Sequence, residues 1–140
     1  MAELKFSTGL VTYSLNGVCE VSFNPTDSAF VEKLYGTFNE LDKKQEQQKA
    51  EVDAAKTNAE IFEIARNRDT EMRGMIDDLF GVPVCDAVFG TMNVYALADG
   101  LPVWANLLLA IIDEVDTSFA AEQKKSNPRI DRYLAKYKRK

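Results

Sequence analysis

Two short apolar–polar alternations open the chain. Leu10-Val-Thr-Tyr-Ser-Leu15 and Val18-Cys-Glu-Val-Ser-Phe23 are rich in β-forming residues and flank Asn16-Gly17. Both central residues of a type I′ turn need positive φ, which Asn and Gly tolerate best, so the pattern predicts a β-hairpin. Leu4 to Ser7 reads as a further short strand ahead of it. A lone hairpin is marginal in water, so this one must pack on helices or pair with another chain.

Beyond Phe23 the period changes from two to that of a helix. Asn24-Pro25-Thr26-Asp27 opens a helix, with Asn24 as its cap, Pro25 at its first position and Asp27 in its first turn. Phe30, Val31, Leu34, Tyr35, Phe38 and Leu41 follow at helical spacing, and nothing interrupts the helix before Thr57-Asn58. A second helix runs to Phe80 on Phe62, Ala65, Met72, Ile76, Leu79 and Phe80, with Gly81 placed to end it. Residues 82–90 read as one short helical turn between glycines, and residues 91–100 as turn or loop. Gly100-Leu101-Pro102 begins a third long helix with Leu101, Trp104, Leu107, Leu108, Ile111, Val115 and Phe119 on its buried face. Pro128 closes that region, and Ile130, Tyr133, Leu134 and Tyr137 mark a final short helix. The predicted class is mainly α (α+β): an N-terminal hairpin, three long helices in a bundle and a short C-terminal helix. It is read as one domain, with the hairpin at 1–23, a helical body at 24–125 and a basic tail at 126–140.

The stretch from Asp42 to Glu60 is crowded with charge, yet Leu34, Phe38, Leu41, Gln45, Gln48, Val52, Ala55, Ala59 and Phe62 alternate four- and three-residue steps without one charge. This is the trace of a weak coiled-coil seam, polar in its middle. Two uses are open: a stripe against the protein's own body, or a seam for a second copy through Leu41, Gln45, Gln48, Val52 and Ala55.

Composition narrows the possible roles. Apolar residues make up 46% and charged residues 28%, the balance of an ordinary globular protein. The start of the chain lacks the pattern of a signal peptide. The longest apolar run, Leu107 to Ile112, falls far short of the roughly 20 residues that cross a bilayer. A cytoplasmic protein with no membrane partner is expected. The net charge of −5 is uneven: Lys124 to Lys140 carries eight basic residues and one acid, so the preceding 123 residues carry −12. The basic tail, with Arg129, Arg132, Tyr133 and Tyr137, is expected to meet an acidic surface. An acidic body repels phosphate, so nucleic acid is not the expected partner.

Chemistry is scarce. There is no histidine, so Ser-His and Cys-His nucleophilic pairs do not exist here. No glycine-rich phosphate loop is present. Asp77-Asp78 and Asp113-Glu114 with Asp116 are adjacent carboxylates whose side chains point different ways along a helix. Cys19 and Cys85 read as small buried hydrophobes. No catalytic residue, metal site or cofactor is expected, and Trp104 reads as core.

Three stretches carry a family likeness. Phe23-Asn-Pro-Thr-Asp-Ser-Ala-Phe-Val-Glu-Lys-Leu-Tyr35, Arg73-Gly-Met-Ile-Asp-Asp-Leu-Phe-Gly81 continuing to Ala87-Val-Phe-Gly90, and Glu122-Gln-Lys-Lys-Ser-Asn-Pro-Arg-Ile-Asp-Arg-Tyr133 resemble tail assembly chaperones of long, non-contractile-tailed phages and prophages of Gram-positive bacteria. The likeness spans most of the chain outside residues 42–60 and contains no catalytic fingerprint. It implies a non-enzymatic factor that coats the tape measure protein and keeps it soluble, then leaves as the tail tube protein polymerises around it. Such proteins are commonly made as a short form and a frameshifted extension, and this chain would be the short form. Two rival classes stay open: a structural minor tail or connector protein, and a small acidic regulatory module that masks a basic partner surface.

Overall fold

The structure is a computed structural model and describes residues 1–125. The hairpin pairs β1 (Val11–Leu15) antiparallel with β2 (Cys19–Phe23) in the register Val11↔Phe23 to Leu15↔Cys19. Asn16 and Gly17 both take positive φ, 52° and 72°, and the Val18 N–H closes the turn on the Leu15 carbonyl at 3.1 Å. Ladder pairing resumes at Cys19, which leaves Val18 outside it and exposed. One face of the hairpin is polar, with Thr12 and Ser22 hydroxyls 2.7 Å apart. The other carries Tyr13, Val21 and Phe23 toward the body. Tyr13 stacks on Phe23 with ring centroids 4.7 Å apart, and Phe23 on Phe30 of the first helix at 4.3 Å. These stacks supply the packing that a two-stranded sheet cannot give itself.

Residues 4–7 form no strand. The alternation of Leu4 and Phe6 has the right period, but no described strand lies beside them, and both side chains are exposed. Further along the chain, Asn24 does not cap the first helix. Its Oδ1 accepts from the Thr26 N–H at 2.8 Å and makes a local turn. The cap passes to Asp27, whose carboxylate accepts from the Ala29 N–H at 3.0 Å. Helix α1 therefore spans Ser28–Ala54, continuous through the polar stretch.

A three-residue break, Ala55 to Thr57, reverses the chain into α2, Asn58–Phe80. Thr57 Oγ1 accepts from the Glu60 N–H at 3.2 Å, and Glu60 Oε2 accepts from the Lys56 N–H at 2.8 Å, so the N-terminus of the new helix is capped by Thr57 and braced by Glu60. The short predicted turn is present as α3, Val84–Phe89. Within 91–100 a second small hairpin pairs β3 (Leu97–Ala98) with β4 (Leu101–Pro102). Its turn is Asp99-Gly100, with φ of 55° and 80°, the same two-residue signal as Asn16-Gly17 and legible in principle from the sequence. Leu101 and Pro102 are thus strand residues, and the last long helix, α4, runs Val103–Lys124. No side chain caps it. Its first donors are satisfied by backbone carbonyls instead, Val103 N–H on Ala96 at 2.8 Å and Trp104 N–H on Val94 at 3.2 Å.

One core joins hairpin and helices. It holds Val21 and Phe23, Leu34 and Leu41 from α1, Met72, Ile76 and Leu79 from α2, Val84 and Cys85 from α3, and Trp104, Leu108, Ile111 and Val115 from α4. The hairpin followed by three long helices is the α+β arrangement that the apolar spacing implies. Four expected apolar-face positions are exposed: Phe62 at 61%, Tyr35 at 42%, Leu101 at 41% and Phe119 at 37%. The short helix expected near Tyr133 lies outside the described residues. Among those described, no helix is long and apolar enough to cross a membrane.

Candidate partner-docking groove

The polar side chains of α2 hold the loop after it in place. Arg73 Nε donates to Asp69 at 3.0 Å, and its guanidinium reaches Asp86 of α3 at 3.1 Å and the Met92 carbonyl. Asp69 also accepts from the Val94 N–H at 2.7 Å, and Asp77 from the Cys85 N–H at 2.9 Å. Asn93 Nδ2 donates to the Ala65 carbonyl at 3.1 Å, and Asn106 Nδ2 of α4 to the Ala98 carbonyl at 2.9 Å. Asp69 and Asp77 are therefore fasteners for backbone N–H groups. Burial and the nearby Asp77 carboxylate raise the Cys85 thiol well above the ordinary thiol range, so the cysteine is an inert core residue. Cys19 is half-buried.

Fastened this way, α3, the 91–102 segment and the first half of α4 face the hairpin tip across a groove of about 470 Å³. Leu15, Val88, Phe89, Met92, Val103 and Leu107 give its apolar surface. Ala98 and Ala110 supply small residues, and Ser14, Asn16 and Asn106 the polar rim. No charged residue lines it, in a chain with 28% charged residues. Exposed Val18 lies beside the first hairpin turn, and exposed Leu97 and Leu101 lie on β3 and β4. An uncharged concave surface bordered by exposed aliphatic side chains is the form of a protein-docking site.

The seam residues lie elsewhere. Leu41 is fully enclosed by its own chain. Gln45 Oε1 accepts from Trp104 Nε1–H at 2.9 Å. Gln48 and Val52, with Gln45 and Tyr95, line a smaller hollow of about 300 Å³, and Ala55 closes the turn with its N–H on the Val52 carbonyl. Ion pairs flank the stripe: Lys44 with Glu71, and Arg68 with both Glu51 and Glu71. Of the two uses open to this stripe, the structure displays contact with its own body. Two polar atoms there, Gln48 Oε1 and the Tyr95 hydroxyl, are buried without a hydrogen-bond partner among the described residues, and burial pushes the Tyr95 phenol up to about 12. Arg129, Arg132, Tyr133 and Tyr137 lie outside the described residues.

Sequence reasoning passed over every groove residue as a site. Its members come from positions 14–16, 88–92 and 98–110, so no local spacing reveals them. The one available signal is the long uncharged stretch from Ala87 to Ala98.

Among the described residues, no three Asp, Glu, Cys or His side chains are grouped to hold a metal ion. No family model matches the chain, and neither a curated protein nor a solved structure matches it.

Proposed function

We propose that the protein is a phage or prophage tail assembly chaperone, a non-catalytic factor that binds the tape measure protein and keeps it soluble during tail morphogenesis. The groove between the hairpin tip and α4 is the observation that supports this most directly. A long, apolar-rich helix presents stripes at i, i+3, i+4 and i+7, and docking into an uncharged groove is how such a stripe is covered. One groove of this size binds modestly. Several copies spaced along one long helix bind it firmly while each contact stays reversible, which suits a factor that must leave as the tube forms. The family likeness also bears on the groove, since the stretch Ala87-Val-Phe-Gly90 contributes Val88 and Phe89 to its wall.

Co-expression with a tape measure protein tests the reading. Wild type should keep that protein in the soluble fraction. Ala110→Glu, which sets a charge at an exposed groove position without touching the core, should lower its recovery several-fold. Equal recovery with both would remove the groove from the function.

A second reading, a minor tail or connector protein, is favoured by one feature. Among the described residues the sheet has only β1 and β2, so each strand keeps one unpaired edge that could join a ring sheet. Detection of the protein in finished particles would favour it over a chaperone.

A further inference from the structure

The groove has a counterpart on the same molecule. The segment before β1 runs Leu4-Lys-Phe-Ser-Thr-Gly-Leu10 and is fixed at its inner end, where Asn24 Nδ2 donates to the Thr8 carbonyl at 2.8 Å. Gly9 makes this approach possible, with φ of +72° and Asn24 pressed against its Cα. Outward of that anchor, Leu4 is 87% and Phe6 79% exposed. They alternate with Glu3, Lys5 and Ser7, the pattern of a strand with one apolar face, yet no described strand lies beside them.

We infer that this arm docks into the groove of a second copy, with Leu4 and Phe6 seated among Leu15, Phe89, Met92 and Leu107. Three observations select a second copy as the occupant. The first is chemical: in an extended arm Leu4 and Phe6 share one apolar face with Lys5 on the other, and the groove is an uncharged surface, so docking that face strands no ion. The second is main-chain geometry. The groove is bordered by Ser14 and Leu15 at the end of β1, whose outer edge has no described partner, so an extended segment can add there as a strand. The third is reach. The arm's anchored end shares a cleft with Glu114, Ser118, Ala121 and Glu122 of α4, whereas the groove is lined by Val103, Asn106, Leu107 and Ala110. At about 1.5 Å per residue the midpoints of the two regions lie about 18 Å apart along the helix. Leu4 is only four residues from Thr8, an extended reach of about 14 Å. With Thr8 held by Asn24, the extended arm does not span to the middle of its own groove, and Leu4 and Phe6 stay exposed on their own copy, which leaves them to a neighbour's groove.

Arm and groove are different surfaces at opposite ends of α4, so a single contact leaves a free groove on one copy and a free arm on the other, to which further copies can add head to tail. Copies would then form chains, and each occupied groove would be covered until a client helix displaces the arm. The client role of the groove rests on the function proposed above; the arm contact does not.

Sedimentation velocity over a range of concentrations tests this on the full chain, with circular dichroism confirming the fold of each variant. Wild type should form a concentration-dependent series of oligomers. Leu4→Ser with Phe6→Ser removes the arm's apolar face, and Ala110→Glu spoils the groove; each should weaken association at least about tenfold. Mixed together, the two variants still offer one intact arm and one intact groove, so they should form a one-to-one complex and nothing larger. A wild type that stays monomeric overturns the inference, as does a mixture that forms no complex or assembles beyond a dimer. An arm variant that associates like wild type also overturns it, and assigns the contact to other surfaces, the C-terminal residues included. The chaperone reading fails separately, if the mixture forms its dimer while wild type leaves the client insoluble.

Discussion

At Gly9 a β-carbon would lie 2.6 Å from Nδ2 of Asn24, and the backbone is in the left-handed region at +72°. Both conditions oppose any other residue, so Gly9→Ala should cost about 1 kcal/mol and release the arm, read as faster protease cleavage before residue 10. The two glutamines of the seam should behave differently from each other. Gln45 accepts the indole N–H of Trp104, which is buried, and Gln45→Ala would leave that donor unpaired at a cost of about 1–3 kcal/mol. Gln48 Oε1 has no described partner to lose, so Gln48→Leu should be neutral or stabilising. Denaturant midpoints of the two variants, compared with wild type, decide between these outcomes.

Between elements, the α1–α2 hairpin combines an apolar stripe with flanking ion pairs. The hydrogen bond from Lys44 holds the Glu71 carboxyl below its ordinary range, with Arg68 adding to the effect. A depressed carboxylate contributes stability that is full above its unfolded pKa and lost as pH falls through the folded one. Glu71→Gln should therefore lose some stability at neutral pH and converge with wild type in acid below the usual carboxylate range. At the other end of the hairpin, Thr57→Ala removes the cap of α2 and should cost about 1 kcal/mol in equilibrium unfolding. Most of this level was legible in the sequence. The apolar spacing placed three long helices, and Asn16-Gly17 placed the first turn. What escaped was competition between near-equal local choices: Asn24 turned back on Thr26 and left the cap to Asp27, and Asp99-Gly100 folded a hairpin out of residues that also suit a helix start.

For the whole molecule, the difficulty lies in sequence distance. Leu15 and Leu107 are ordinary apolar positions in their own elements, and only the packing of the hairpin tip beside α4 makes them walls of one groove. The seam had the opposite fate. Its regular, uncharged steps were visible along the chain, and the fold turns Leu41 and Gln45 inward, Gln45 onto Trp104, while Phe62 stays exposed. Deletion of residues 128–140 should leave the described core intact and weaken self-association or client binding. An unchanged thermal transition with reduced oligomer size would agree, and loss of the fold would instead make the tail part of the core.

Trp104 is the chain's only tryptophan. It lies 5.3 Å from the Phe38 ring between centroids, is bonded to Gln45, and begins the helix whose next turns floor the groove. The tryptophan fluorescence of the protein therefore comes from one indole at the junction of α1 and α4. Any occupant of the groove that shifts α4 changes that emission, which gives the molecule a built-in, label-free gauge of its own occupancy.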